Sequence, residues 1–132
     1  LASLEALGLD DETLVVFTSD NGGFAGVSDC RPLRESKGHL YEGGIREPLV
    51  VKWPGVTKAG STCKEPVIGV DFYPTFLELA GIDRPENLKL DGLSLVPCLK
   101  DGSASLGRKA LYWHFPCYLQ GYTPRHGPFR AG

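Results

Sequence analysis

The sequence contains no methionine, and the first of its 132 residues is Leu1. A bulky leucine does not normally follow an excised initiator, so the stretch reads as a segment of a longer product whose amino-terminal part is missing, and a signal peptide would lie upstream of it. Long apolar runs are also lacking: Leu14–Phe17 is typical, against the ~20 residues that cross a bilayer, so no membrane partner is expected. No block of like charge occurs either. With 14 basic and 16 acidic residues and a formal net charge of -2, neither a phosphate-backbone footprint nor an anionic-membrane patch is present, and nucleic acid is not an expected partner. The four cysteines, Cys30, Cys63, Cys98 and Cys117, include no C-x-x-C pair, and no histidine stands at zinc-finger spacing, which argues against structural zinc. If the parent protein is exported, all three full pairings of these cysteines remain open.

What is present suits one domain, or part of one, with a modest core. Leu1, Leu4 and Leu7 recur at helical spacing before Gly8, predicting an amphipathic helix closed by a left-handed cap. Thr13–Thr18, TLVVFT, is apolar and β-branched without clean alternation, as in a strand buried on both faces of an α/β sheet. From Ser19 to about Gly44 glycine and charge dominate, an irregular length that compact domains keep mainly for function. A second short strand is predicted from Pro48 to Trp53, closed by a Pro54-Gly55 turn. Asp71 is placed as N-cap of a helix carrying Phe72, Thr75, Phe76 and Leu79, with Pro74 tolerated in its first turn and Gly81 ending it. A shorter helix is expected from Ser94 to Lys100, interrupted or begun by Pro97, and a last strand from Lys109 to Phe115. Beyond Pro116 the residues show no period and read as a recognition loop or a frayed end.

The chemistry-bearing residues gather in the irregular stretch. Asp20 and Asn21 put a carboxylate and an amide oxygen side by side at the carboxyl end of the first strand, hard-oxygen ligands at the usual site edge of an α/β sheet. Gly22 and Gly23 are read as letting the backbone turn sharply and leaving room for a bound anion. Taken alone, Asp-Asn-Gly reads rather as a tight turn. Lys37-Gly38 follows, then Tyr41, Glu42, Gly43, Gly44, Ile45 and Arg46, ending in Glu47-Pro48. By composition Lys37 is a solvated surface lysine, and His39 beside it reads as a solvated imidazole rather than a catalytic one. Glu42 and Arg46 read as a structural ion pair that positions the loop.

Taken together, FTSDNGG, PLRESKGHLYEGGIREP, KWPG and VDFYPTFLELAG closely resemble the carboxyl-terminal half of the sulfatase family, arylsulfatase-like members of the alkaline-phosphatase superfamily, in the same order and at similar separations. The resemblance covers nearly the whole chain and is strongest from Thr13 to Pro54. The YWHFPCY stretch, Tyr112–Tyr118, is similar to bacterial sulfatases that act on sulfated sugars. The implied fold is α/β: part of a sulfatase-like sheet with helices over residues 1–100, and over 101–132 the start of a carboxyl-terminal subdomain with a small antiparallel appendage. The resemblance implies that Asp20 and Asn21 are two Ca2+ ligands, the others being aspartates near the family's amino terminus, and that Lys37 contacts a sulfate oxygen, a task suited to a compact ammonium. It also suggests a periplasmic or secreted location.

Sulfatases use a formylglycine made from the cysteine of a C-x-P-x-R signature, and Cys30-Arg31-Pro32-Leu33-Arg34 matches that string. The match is read as accidental, because the family's modified cysteine lies far upstream, whereas Cys30 falls between the Asp-Asn ligands and the lysine. The expected activity of the intact parent is hydrolysis of a sulfate monoester, with a sulfated carbohydrate as candidate substrate. A phosphate-ester hydrolase of the same superfamily is the near alternative, although those relatives carry Asp-His where Asp20-Asn21 stands, and a single hard cation is favoured here. A non-catalytic module holding sugar through YWHFPCY and the Tyr122–Phe129 aromatics is the alternative of another class, ranked lower because such stripes are more often core. Strand edges left unpaired in such a segment predict self-association.

Overall fold

The computed structural model describes residues 1–116, so the expected aromatic platform at Tyr122–Phe129 lies outside the described residues. The chain divides into two compact units, one of Leu1–Val15 with Val51–Leu111, the other of Val16–Val50 with the residues from Tyr112. No described helix is long and apolar enough to cross a membrane.

In the first unit, helix α1 spans Ala2–Ala6. It ends as Gly8 predicts: Gly8 has φ +67°, its N–H bonds the Glu5 carbonyl at 3.0 Å and the Leu9 N–H reaches back to Leu4 at 2.9 Å. This paired closure satisfies carbonyls that the helix end would leave orphaned. Helix α3 spans Phe72–Leu79, with the single turn α2 (Glu42–Ile45) before it in the chain. It closes identically at Gly81, with Gly81 N–H on Glu78 and Ile82 N–H on Leu77. Phe72 and Phe76 stack at 6.0 Å one turn apart. The expected short helix near Pro97 is α4, Val96–Lys100, with the proline in its first turn. The small core lies where α4 meets α3: Leu95, Val96 and Cys98 are buried, as is Thr75. The Thr75 hydroxyl donates to the Asp71 carbonyl and accepts from the Leu95 N–H at 2.9 Å.

Asp71 takes the N-cap position of α3 expected of it, but its side chain does other work. It sits in αR geometry at the end of a 3-10 turn, Gly69–Asp71, and makes no side-chain cap to α3. Its fully buried carboxylate instead accepts from the Ile68 and Leu93 N–H groups, each at 2.9 Å, and from both terminal nitrogens of Arg108. A long-range guanidinium outcompetes the local cap because a bidentate, charge-assisted pair is stronger than one backbone bond.

The two strands, β1 (Val15–Thr18) and β2 (Leu49–Lys52), pair with each other as a two-stranded antiparallel sheet. β1 is not buried on both faces as expected. Its one described partner leaves Phe17 65% exposed and Val50 on β2 62% exposed, since a two-stranded ribbon has no further layer to cover it. The turn after β2 forms as predicted, with Gly55 at φ +73° and Thr57 clasping both backbone groups of Trp53. The strand predicted at Lys109–Phe115 does not form. Tyr112 is 87% exposed, and with no strand beside it among the described residues the segment has no ladder to join.

Candidate active site

The second unit holds every residue singled out for chemistry. β1 ends at Thr18, and the chain turns at once through Ser19–Gly23, where the Ser19 hydroxyl bonds the Asn21 carbonyl at 2.8 Å. Asp20 is exposed and Asn21 half-buried at the carboxyl end of β1, where the sequence puts them. A second loop, residues 34–41, leads into α2 (Glu42–Ile45), a single helical turn the sequence did not announce. Backbone bonds lay this loop on the Asp-Asn turn: the Lys37 N–H donates to the Gly23 carbonyl at 3.1 Å, and the Gly22 N–H to the Gly44 carbonyl at 3.0 Å. Lys37 thus stands beside the turn that carries Asp20 and Asn21. Its side chain is exposed and forms no ion pair with any described residue, unlike a lysine spent on surface pairing.

The glycines do a different job from the one predicted. Neither Gly22 nor Gly23 is left-handed. A Cβ on Gly22 would fall 1.9 Å from the Gly43 oxygen, and one on Gly44 2.1 Å from the His39 oxygen. Both are glycine because backbone passes against backbone there. The same crowding surrounds Glu35, a non-glycine residue at φ 62°, whose carbonyl is 2.0 Å from where a Gly43 Cβ would be. A strained residue held by its surroundings next to a candidate site fits a loop built for position.

His39 is not the solvated imidazole expected. It is buried, with Nδ1 3.2 Å from the Ser36 carbonyl and Nε2 3.7 Å from the Glu35 carboxylate. Its burial follows from the tight 36–39 turn, a tertiary effect that local composition does not carry. Glu42 and Arg46 do pair, at 3.2 Å across α2, with both side chains exposed. Arg34 lies over the Tyr41 ring at 3.8 Å to its centroid, a cation–π contact that braces the other end of the loop. Cys30 packs on the same turn, its thiol 3.7 Å from the Gly23 carbonyl.

A further carboxylate stands here, one that its place at the end of the lysine stretch does not mark: Glu47 has its Oε1 buried with no hydrogen-bond partner among the described residues. Burial, and then the negative charge of Asp20, push its carboxyl above the ordinary carboxylate range. An orphaned carboxylate oxygen near Asp20 suits a cation in that neighbourhood, since buried charge is otherwise unfavourable. The donors, carboxylates and an amide, are those of a hard cation such as Ca2+. No cluster of three His, Cys, Asp or Glu side chains occurs among the described residues, so these residues fit Ca2+ in kind and supply only part of its six to eight oxygens.

Comparison with known proteins points to one family. Residues 35–126 match the family model described as N-sulphoglucosamine sulphohydrolase, C-terminal. A protein named Sulfatase from Formosa agariphila is 43% identical over 119 residues, 87% of this chain and 22% of the relative. Of two similar solved structures, Ps i-CgsB in complex with k-i-k-neocarrahexaose superposes with a TM-score of 0.72 at 39% identity, covering 76% of this chain and 23% of that one. BT4656 in complex with its substrate D-glucosamine-2-N,6-O-disulfate gives 0.63 at 34% identity, covering 96% and 24%. The chain spans 22% of the length of each of several curated relatives it matches.

Proposed function

Because this chain belongs to the sulfatase family, by its carboxyl-terminal portion, we propose that it forms one wall of a site hydrolysing sulfate monoesters, with sulfated sugars as the substrate class. The observation carrying this reading is the backbone register that sets an exposed Lys37, without an ion-pair partner among the described residues, beside the Asp20–Asn21 turn. Asp20 and Asn21 would hold Ca2+, and the buried Glu47 oxygen supports a cation there. Bound Ca2+ would supply Lewis-acid polarisation of the sulfate oxygens. Lys37 binds a non-bridging oxygen and neutralises charge that grows on it as the ester bond breaks. Gly22, Gly43 and Gly44 hold the lysine loop against the ligand turn, so that anion and cation positions stay in register. The nucleophile, a formylglycine, belongs in this reading to another part of the enzyme, and Cys30, which falls between the Asp-Asn turn and Lys37, is not taken as its source. The two sugar complexes among the similar structures support the substrate class. A periplasmic or secreted setting goes with the same reading.

The test is kinetic. In the full enzyme, Lys37→Ala should lower turnover of an aryl sulfate by ~100- to 1,000-fold, the usual effect of removing one oxyanion donor, while this chain alone should show none. Unchanged turnover in the variant, or preferential cleavage of the matching aryl phosphate, would refute the assignment.

A further inference from the structure

The first unit contains two nucleophilic side chains that this function does not use. Cys98 lies in the middle of α4 and is 8% exposed, while Cys63, half-buried, sits in the loop that follows β2. The two thiols are neighbours: Cys63 lies near enough to Cys98 to perturb its sulfur. Backbone packing fixes the encounter. Gly102, just past α4, lies so close to the Cys63 loop that a Cβ there would be 2.9 Å from the Thr62 carbonyl and 3.9 Å from the Cys63 nitrogen. Each sulfur is also held from its own side, Cys63 by the Glu65 N–H at 3.4 Å and Cys98 by donating to the Ala104 carbonyl at 3.6 Å. Two thiols brought into one neighbourhood from elements 35 positions apart are unlike two cysteines buried separately as small apolar groups.

We propose that Cys63 and Cys98 are a disulfide-forming pair, closed by exchange with a small disulfide of the glutathione type, and that the bond staples the loop after β2 to α4. Cys63, the more exposed, enters first. Its thiolate attacks the small disulfide, forming a mixed disulfide and releasing one thiol. Cys98 then attacks the Cys63 sulfur, expelling the second thiol. Both S–H bonds are broken, one S–S bond forms, and the two electrons and two protons pass to the small disulfide, which leaves as two thiols. Burial, then the Cys63 thiol, with Glu65 and Asp101 nearby, push the Cys98 thiol up to about 11. The second step is therefore the slower and should accelerate with pH.

The experiment is peptide mapping of the full enzyme after incubation with oxidised glutathione, with remaining thiols alkylated at low pH. The expected result is a crosslinked peptide joining Cys63 to Cys98, reversed by dithiothreitol. In Cys98→Ser that peptide is replaced by a persistent glutathione adduct on Cys63. A wild-type protein that keeps both thiols alkylatable, holds the adduct on Cys63 without resolving it, or links Cys63 to Cys30 or Cys117 instead overturns the proposal. Because the wild-type map decides by itself, a variant that fails to fold does not blunt the test.

Discussion

Replacing Asp71 by alanine should be among the most damaging single changes in the first unit. The carboxylate is fully buried and takes four hydrogen bonds, two from the Ile68 and Leu93 N–H groups and two from Arg108, whose side chain is only 11% exposed. The substitution leaves a buried guanidinium with one remaining contact, the Pro66 carbonyl at 3.3 Å, and two N–H groups without their acceptor. Breaking a buried pair from one side costs about 3–5 kcal/mol, a large part of the ~5–15 kcal/mol that holds a domain folded. With a urea slope of roughly 1–3 kcal/mol/M, the midpoint should fall by about 2 M, read from the fluorescence of Trp53 and Trp113. Asp71→Ala combined with Arg108→Met should recover part of the loss, since no charge is then stranded. Acid should act in the same direction. Burial by itself raises the Asp71 carboxyl, but the Arg108 hydrogen bond and those of Leu93 and Ile68 outweigh it and hold it below 3.8. A folded value below the unfolded one means the contribution is complete above the unfolded value and is lost as pH falls through the folded value. A loss under about 1 kcal/mol, the worth of an exposed pair, would show that the buried-pair reasoning is wrong.

Gly22→Ala should disrupt the second unit, because its Cβ would enter the Gly43 carbonyl. Overpacking of this kind costs about 1–3 kcal/mol or more, and Gly55→Ala, with no atom within 4 Å of its new Cβ, serves as the comparison in thermal melts, where only left-handed strain should register. The 132-residue chain by itself should self-associate through β1 and β2, whose Phe17 and Val50 stand exposed. Light scattering that reports a stable monomer would dispose of that expectation.

Helices α1 and α3 were legible because local signals suffice for them: apolar residues at helical spacing, then a glycine whose positive φ closes the end. The Asp20–Asn21 turn and Lys37 were legible as a pattern of residue types, and the coordinates bring their backbones together. The features that escaped depend on partners far along the chain. Asp71 has the sequence context of a cap, and only Arg108, beyond the next helix, explains its actual role. The Gly43-Gly44 pair argues against a helix by propensity, yet α2 forms because adjoining backbone packs where side chains would have stood. The 109–115 stretch shows the converse, a strand-like segment without a neighbour among the described residues. Glu47 and His39 are ordinary letters in the sequence, and their burial is a property of the folded loop alone.

The contact of Gly22 with Gly43 also partitions the loop for protein engineers. Residues along its spine have no spare volume, so libraries that vary them should yield mostly inactive clones. Val27 points outward with 86% of its surface open, and diversity introduced there would leave the scaffold intact.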